Sequence, residues 1–507
     1  MDERKFEIII HATDENFLAR LIQSLETVVV PENFSAEIQP VTGAEKYFAY
    51  DTAMRASDAK YKIYLDERAI ITNKNFLVEL LELFDGDKKI GAVGTSGALE
   101  LSTSGVSFYS EKWKSKNYIG EAQVVDGFFC ATQYDLPWRE ELFKDNFFGG
   151  QAQCVEFRRA GYKVFIGGDW IFFDTDTVKL DEASQNIFLN EYSADLFPLV
   201  TVLIPTFNRP KWFKEALDSA LNQTYRNIEI VISDDSTNDD TEKLIQSYLG
   251  DSRIKYFRNR GFTITENWGF LRGYNNPAAE YVNWLMDDDI FYPMKLEKMI
   301  EVYRNQPDVS LVTSSKNFID ADGNVIGNSK DFNENQNLKI PGDEAGKFLF
   351  ICDDYIGETT TVLIRKKFLR DNDLCWNEDE NTDSFPLSDV STWLQLLTQG
   401  NLFMFAECLS AYRSHSDNDL KRISTIMSIP LNYTKLFKTA VDKKVFFHNE
   451  KDLRLAIFFL LDKSMYSLRE ALSANYHGKP VETLEKTFVA LAQSLSNGYK
   501  LELPSVE

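Results

Sequence analysis

Three consecutive carboxylates, Asp287-Asp288-Asp289, close a run that is otherwise mostly apolar, Tyr281-Val282-Asn283-Trp284-Leu285-Met286. Such neighbours repel one another and are costly to desolvate unless they stay solvated or share a cation. A hard divalent ion, Mg²⁺ or Mn²⁺, takes oxygen ligands of this kind. It could bridge to a diphosphate and act as Lewis acid for its departure. The plainer reading of the same residues is an exposed acidic turn.

Two more groups carry chemistry. Val200–Ile204 leads into Pro205-Thr206-Phe207-Asn208, and Ile228–Ile232 leads into Ser233-Asp234-Asp235-Ser236. A carboxylate there can accept the imide N–H of uracil, and Phe207 can pack on the base. The alternative is a Ser/Asp turn capping a helix that starts near Thr241. Asp389, in Pro386-Leu387-Ser388-Asp389-Val390-Ser391-Thr392-Trp393, precedes a helix-like stretch, Trp393–Leu397. A helix dipole would hold it ionised and suit it to a general base; an N-cap is the simpler role.

These residues need strands to bring them together. Phe6–Ile10, Tyr61–Leu65, Val200–Ile204 and Tyr281–Met286 read as short strands, each followed by a polar turn or acidic residues. Helix-like stretches follow at Phe17–Leu25 and Trp212–Leu221. Alternation of this kind predicts α/β domains built on a mainly parallel sheet, with ligands at the loops that leave the strands. Two related domains follow, residues 1–190 and 198–420, separated by Ser184–Phe197, where no strong strand or helix pattern is read. From about Lys421 the texture changes. Leu453-Ile457-Leu460-Leu461 and Leu484-Phe488-Leu491 fall at helical spacing, so residues 421–507 read as a helical C-terminal module whose apolar stripes are packing surface.

The 507 residues exceed one core, and 38 Phe with 22 Tyr predict aromatic interiors. With 78 acidic against 55 basic residues, the formal charge of −23 disfavours generic binding to nucleic acid or anionic lipid. It permits a nucleotide ligand whose diphosphate a divalent ion neutralises. Cys130, Cys154, Cys352, Cys375 and Cys408 are scattered and form no CxxC pair, which fits a reducing compartment and neither a disulfide framework nor a zinc site. No secretory leader or transmembrane run is read, so the expected location is the cytoplasm, with peripheral contact at the inner membrane face left open.

Residues 200–415 resemble the family 2 glycosyltransferases of GT-A fold. The resemblance rests on VTVLIPTFNRP, LNQTYRNIEIVISDDSTNDDT, AAEYVNWLMDDDIFYP and SDVSTWLQLLTQGNLFMF followed by AYRSH. It implies an inverting transfer from a nucleoside diphosphate sugar, UDP-linked by family habit, to a hydroxyl of a glycan or glycoprotein, with Mn²⁺ or Mg²⁺ as cofactor. Pro205, Thr206, Phe207 and Asn208 would cradle the donor and Asp235 would read uracil. Asp287 and Asp289 would be the outer members of the DXD motif. Asp289 is then the direct metal ligand, Asp287 lies nearer the ribose or diphosphate, and Asp288 lies beside the donor. Asp389 would be the base, and His415 could reach the metal or diphosphate. Glu358-Thr359-Thr360 falls where the family places acceptor residues.

The first domain resembles a group of bacterial family 2-type domains, through KYKIYLDERAIITNKNFL, VVDGFFCATQYDLPWRE and EFRRAGYKVFI, but departs from them at the chemistry. Its metal motif would be Asp66-Glu67-Arg68, with a cation where a second carboxylate belongs. Gly150-Gln151-Ala152-Gln153 stands where a basic carboxylate is usual, and glutamine cannot take a proton. The expectation is a domain that has lost catalysis and serves acceptor recognition, dimerisation or scaffolding. The rival is a second active domain of different geometry. For the whole chain, the expected role is bacterial surface glycan synthesis, with a homodimer as one arrangement. The alternative is a non-catalytic nucleotide- or sugar-binding partner of another transferase, which would not need Asp389. A nucleotidyltransferase would be expected to show a glycine-rich triphosphate loop, and Pro205–Arg209 contains no glycine.

Overall fold

The computed structural model describes residues 1–103, 113–114, 118–145, 147–173, 181–329, 336–352, 354–369, 387–415 and 422–499. Cys375, Pro386 and Lys421 lie outside them. The chain divides into two compact units, Met1–Phe197 and Pro198–Glu507. Each is mixed α/β.

In the first unit, seven strands pair in the order Ser35–Val41, Asp2–His11, Ala59–Asp66, Phe129–Thr132, Ile90–Gly94, Lys163–Ile166 and Gly120–Ala122. The first three are parallel, and Phe129–Thr132 runs against Ala59–Asp66. Helix Glu182–Leu196 closes the unit. This overturns the reading of Ser184–Phe197 as patternless. Phe188, Leu189, Tyr192 and Leu196 are buried at helical spacing, and Asp181 caps the helix through the Ala183 and Ser184 N–H groups. The stripe is hard to read because charged residues dilute it. Two of them, Glu191 and Asp195, pair with Arg159 on helix Phe148–Arg159.

The second unit holds a ten-stranded sheet. Its parallel half runs Ile254–Arg258, Ile228–Asp234, Leu199–Thr206, Ala279–Trp284. The sheet then turns antiparallel at Leu363–Arg365 and continues through Val309–Ile319 to Asn401–Arg413. Strands buried on both faces read as unbroken apolar runs, which is why Val200–Ile204 and Ile228–Ile232 show no alternation. Register sets the site. Thr206 pairs with Asp234 and Leu203 with Trp284, so the loops after all three strands leave the same edge.

Helices Ile423–Lys443, Glu450–Ser473 and Lys479–Ser494 follow. They share one core with the second unit. Tyr433, Phe437, Ile457 and Leu460 pack in the same buried cluster as Ala345, Phe350, Trp393 and Leu397. Gly346 is needed at this seam, because a Cβ there would lie 2.2 Å from the Phe446 ring. Among the described residues, no helix is long and apolar enough to cross a membrane.

Candidate active site

The first wall is built by the loops after Leu199–Thr206 and Ile228–Asp234. Pro205 and Thr206 end the first strand, and the Asp235 N–H donates to the Thr206 carbonyl at 3.3 Å. Asn208 adopts φ 53°, a left-handed conformation that Asn tolerates. This turns its side chain onto Thr237, whose N–H donates to Asn208 Oδ1 at 3.0 Å. Phe207 is left 48% exposed, a free face for stacking.

The Asp234-Asp235 pair separates into two roles. Asp234 is fully buried, taking the Tyr256 hydroxyl at 2.6 Å, the Ser236 N–H at 2.8 Å and Arg258 at 3.1 Å. It is consumed by the fold. Asp235 accepts from Asn267 Nδ2 at 2.8 Å, and burial pushes its carboxyl up to about 6. Asn267 is also tied to Ser233, so it holds Asp235 in place.

The three aspartates face different ways. Asp287 accepts from the Phe207 N–H at 3.1 Å and from Arg209 at 3.2 Å. Burial and the neighbouring Asp288 carboxylate push it up to about 7, against the pull of Arg209. Asp288 meets Arg209 at 2.8 Å and His415 Nε2 at 2.8 Å through the same oxygen, Oδ2. The His415 ring stacks on Trp212 with centroids 4.6 Å apart, which fixes its direction. Asp289, expected as the direct metal ligand, is instead 2% exposed, and both its oxygens are taken. Thr360 Oγ1 donates to one at 2.6 Å and the Arg413 N–H to the other at 3.1 Å. Burial, then the charge of Asp288, drives its carboxyl well above the usual range. The position that a cation could share with His415 is therefore Asp288.

Does this set suit a divalent ion? Among the described residues, no three His, Cys, Asp or Glu side chains form a closed cage. Mg²⁺ and Mn²⁺ bound with a nucleotide need none; one or two protein ligands suffice when phosphate oxygens and water complete the shell. Asp288 and His415 are such a pair. Burial and the nearby Asp288 charge raise both Asp287 and Asp289, and a cation beside them would favour their ionised forms. The residues fit the ion.

Asp389 lies in the first turn of helix Ser388–Leu397. The sequence reading has the helix dipole holding it ionised. Burial pushes it up to about 6, and Glu358 adds to the shift while Lys316 opposes it. Desolvation outweighs the dipole because the carboxyl is half-buried. A carboxylate so raised is a better base at neutral pH than an ordinary one. Of Glu358-Thr359-Thr360, expected at the acceptor side, Glu358 pairs with Lys316, while Thr360 donates to Asp289.

Arg209, Trp212, Asn267 and Arg413 acquire roles that the motifs do not announce. Arg413 is fully buried; it pairs with Glu215 at 2.5 Å and donates to the Asp288 carbonyl at 2.7 Å. Arg209 and Arg413 stand in the quoted motifs, yet nothing in the chain order ties either to the aspartates.

At the corresponding edge of the first unit, the carboxylates are held by the unit's own residues. Arg68 forks onto Asp66 at 2.8 and 2.9 Å, and Lys46 adds 3.2 Å. Burial works against ionisation of Asp66, but Lys46 and Arg68 override it and hold the carboxyl well below the usual range. Glu67 accepts from the Thr13 N–H and hydroxyl, both at 2.6 Å, and from the Asp14 N–H at 2.9 Å. Gln151 is fully buried, and Gln153 donates to the Leu136 carbonyl at 2.9 Å.

Similarity to known proteins follows the same division. Residues 7–192 match the family described as "Glycosyltransferase like family", and residues 201–373 match "Glycosyl transferase family 2". An uncharacterized glycosyltransferase of Rickettsia typhi is 43% identical over 115 residues, 22% of this chain and 33% of that protein. The GalNAc(5)-diNAcBac-PP-undecaprenol beta-1,3-glucosyltransferase of Campylobacter jejuni is 38% identical over 93 residues, 18% of this chain and 30% of that protein. The matched stretch thus spans about a third of the length of these curated relatives. Among solved structures, S. aureus TarS residues 1–349 in complex with UDP-GlcNAc aligns with TM-score 0.42 at 12% identity, covering 59% of this chain and 83% of that one.

Proposed function

We propose that this chain, which carries two family 2-like glycosyltransferase domains in tandem, transfers a sugar with inversion from a nucleoside diphosphate sugar to a glycan or glycoprotein hydroxyl, and that the second domain does the chemistry. The observation that carries the reading is the shared edge. It gathers a base-reading carboxylate, Asp235, a carboxylate–histidine pair, Asp288 with His415, and buried acids that call for a cation.

The roles follow from position. Phe207 stacks on the nucleobase and Asp235 accepts its imide N–H, which favours uridine. Arg209 sits between Asp287 and Asp288 and would turn to a diphosphate when a cation takes its place. Asp288 and His415 would hold Mn²⁺ or Mg²⁺, and the ion would supply positive charge to the leaving diphosphate. Asp389 takes the proton of the acceptor hydroxyl as its oxygen attacks the anomeric carbon opposite the departing nucleotide, which inverts that centre. A non-catalytic binding partner would not need a carboxylate at this position. The first domain, with Asp66 locked by Arg68 and Lys46, serves recognition, dimerisation or scaffolding. Synthesis of bacterial surface glycans is the setting we assign.

The test is thermal stabilisation by a panel of nucleoside diphosphates with and without Mn²⁺. A ligand at a hundredfold excess over its Kd stabilises by about 2.7 kcal/mol. UDP should raise Tm only with metal, and Asp288→Ala should abolish the rise. No shift with any nucleotide would defeat the proposal.

A further inference from the structure

Helix Glu450–Ser473 carries an apolar stripe on its solvent side. Its inner face is built largely of small residues: Ala456, Ser464, Ser467 and Ala471 are buried there with Ile457 and Leu460. Ser467 Oγ donates to the Ile426 carbonyl at 2.8 Å, which sets this face against helix Ile423–Lys443. The bulkier Leu455, Phe458, Met465, Tyr466 and Leu472 point the other way and are 40–73% exposed. At 3.6 residues per turn these five fall within an arc of about 120°, opposite the buried face, along about 26 Å of helix. Single exposed apolar side chains are ordinary on a surface. A helix that only had to cover the second unit would turn its large apolar residues inward and its charges outward, so the reversal marks a contact face.

The charges along the helix say what covers the stripe. Four acidic and four basic residues balance one another, so the helix lacks the cationic surplus of one that lies on lipid. At the centre of the stripe stand Asp462 and Arg469, both exposed and about two turns apart. A second copy of the helix meets both. Packed antiparallel across a two-fold axis between Met465 and Tyr466, position 462 stands level with position 469 of the other copy, 465 with 466, and 458 beside 472. Symmetry makes each contact twice. A parallel pairing would set Asp462 against Asp462 and Arg469 against Arg469, and like charges so placed are costly.

We propose that this stripe is the interface of a homodimer, in which Asp462 of each copy pairs with the partner's Arg469, Met465 packs on the partner's Tyr466, and Phe458 lies beside the partner's Leu472. A helix pair of this length buries on the order of 1,000 Å² in total, the low end for a specific interface, so the dimer is of the kind that dissociates on dilution. Association through this face uses neither donor nor metal, so a failure of nucleotide binding has no bearing on it.

Sedimentation velocity of the full chain from about 1 to 100 μM reads the outcome, since that span brackets the affinity of a small interface. Wild type should show a monomer–dimer equilibrium, and Phe458→Glu should be monomeric throughout. Asp462→Arg and Arg469→Asp, each alone, should weaken the dimer by at least about tenfold, and the two together should restore it to near the wild-type level. All three positions are exposed, so melting temperatures should stay near wild type and separate lost association from lost folding. A monomer at every concentration, an assembly indifferent to Phe458→Glu, or a charge exchange that fails to restore the dimer would overturn the proposal. So would Phe458-dependent capture of the monomer by phosphatidylcholine vesicles, which would give the stripe to lipid.

Discussion

Asp389→Asn is the substitution on which the mechanism stands or falls. The carboxyl sits at about 6, roughly two units above the model-peptide Asp value. Because its folded pKa is raised, the fold penalises the ionised form. The cost is absent below the unfolded pKa, grows as pH rises through the interval to about 6, and is complete above it. At pH 7 the penalty is at most about 3 kcal/mol, and the partly exposed setting of the side chain makes it smaller. An uncharged amide removes it. Asp389→Asn should therefore be no less stable than wild type at pH 7. Transfer should nonetheless fall by about 10²–10⁴, the contribution of a general base. A folding defect cannot produce that combination. The wild-type acceptor kcat/KM, measured at saturating donor, should fall about tenfold from pH 7 to pH 5 as the base protonates. The acid limb should vanish in the variant. Turnover within tenfold of wild type, a parallel loss of Tm, or a persisting limb would refute the assignment.

Asp235→Asn should weaken UDP by about ten- to a hundredfold, the value of a hydrogen bond to a charged group, and wild-type UDP affinity should decline below about pH 6 as Asp235 protonates. Calorimetric titration across pH checks both, and a flat pH profile would remove Asp235 from the donor site. A full-length Asp288→Ala, Asp389→Asn double variant should turn over no donor, since Arg68 and Lys46 occupy Asp66 in the first unit. Turnover near the wild-type rate would return catalysis to that unit. Gly346→Ala places a methyl against the buried Phe446 ring and should cost about 1–3 kcal/mol by thermal melting, with partial rescue by Phe446→Leu. An unchanged Tm would show that the seam yields.

Much of this was legible in the residues. Apolar runs ending in Thr206, Asp234 and Asp287 announce parallel strands whose loops share an edge, because short-range sterics and burial act on neighbours in the chain. The departures at Arg68 and Gln151 are equally plain, since a cation or an amide cannot do a carboxylate's work. Helix Glu182–Leu196 escaped because its charges answer to Arg139 and Arg159, both outside the helix, so its stripe is diluted where the sequence alone is read.

The sequence by itself determined the kinds of element, their order, and the stock of carboxylates at strand ends and at one helix start. Only the tertiary structure decided what each carboxylate does. Adjacent aspartates are identical in the chain, yet Asp234 and Asp289 are saturated by Tyr256, Arg258, Thr360 and Arg413, while Asp235 and Asp288 face Asn267, Arg209 and His415. It also decided that the Asp389 carboxyl is raised rather than lowered, because desolvation and the charge of Glu358 come from segments remote in sequence. Hydrogen bonding and desolvation depend on distance in space, and spacing along the chain does not reveal that distance.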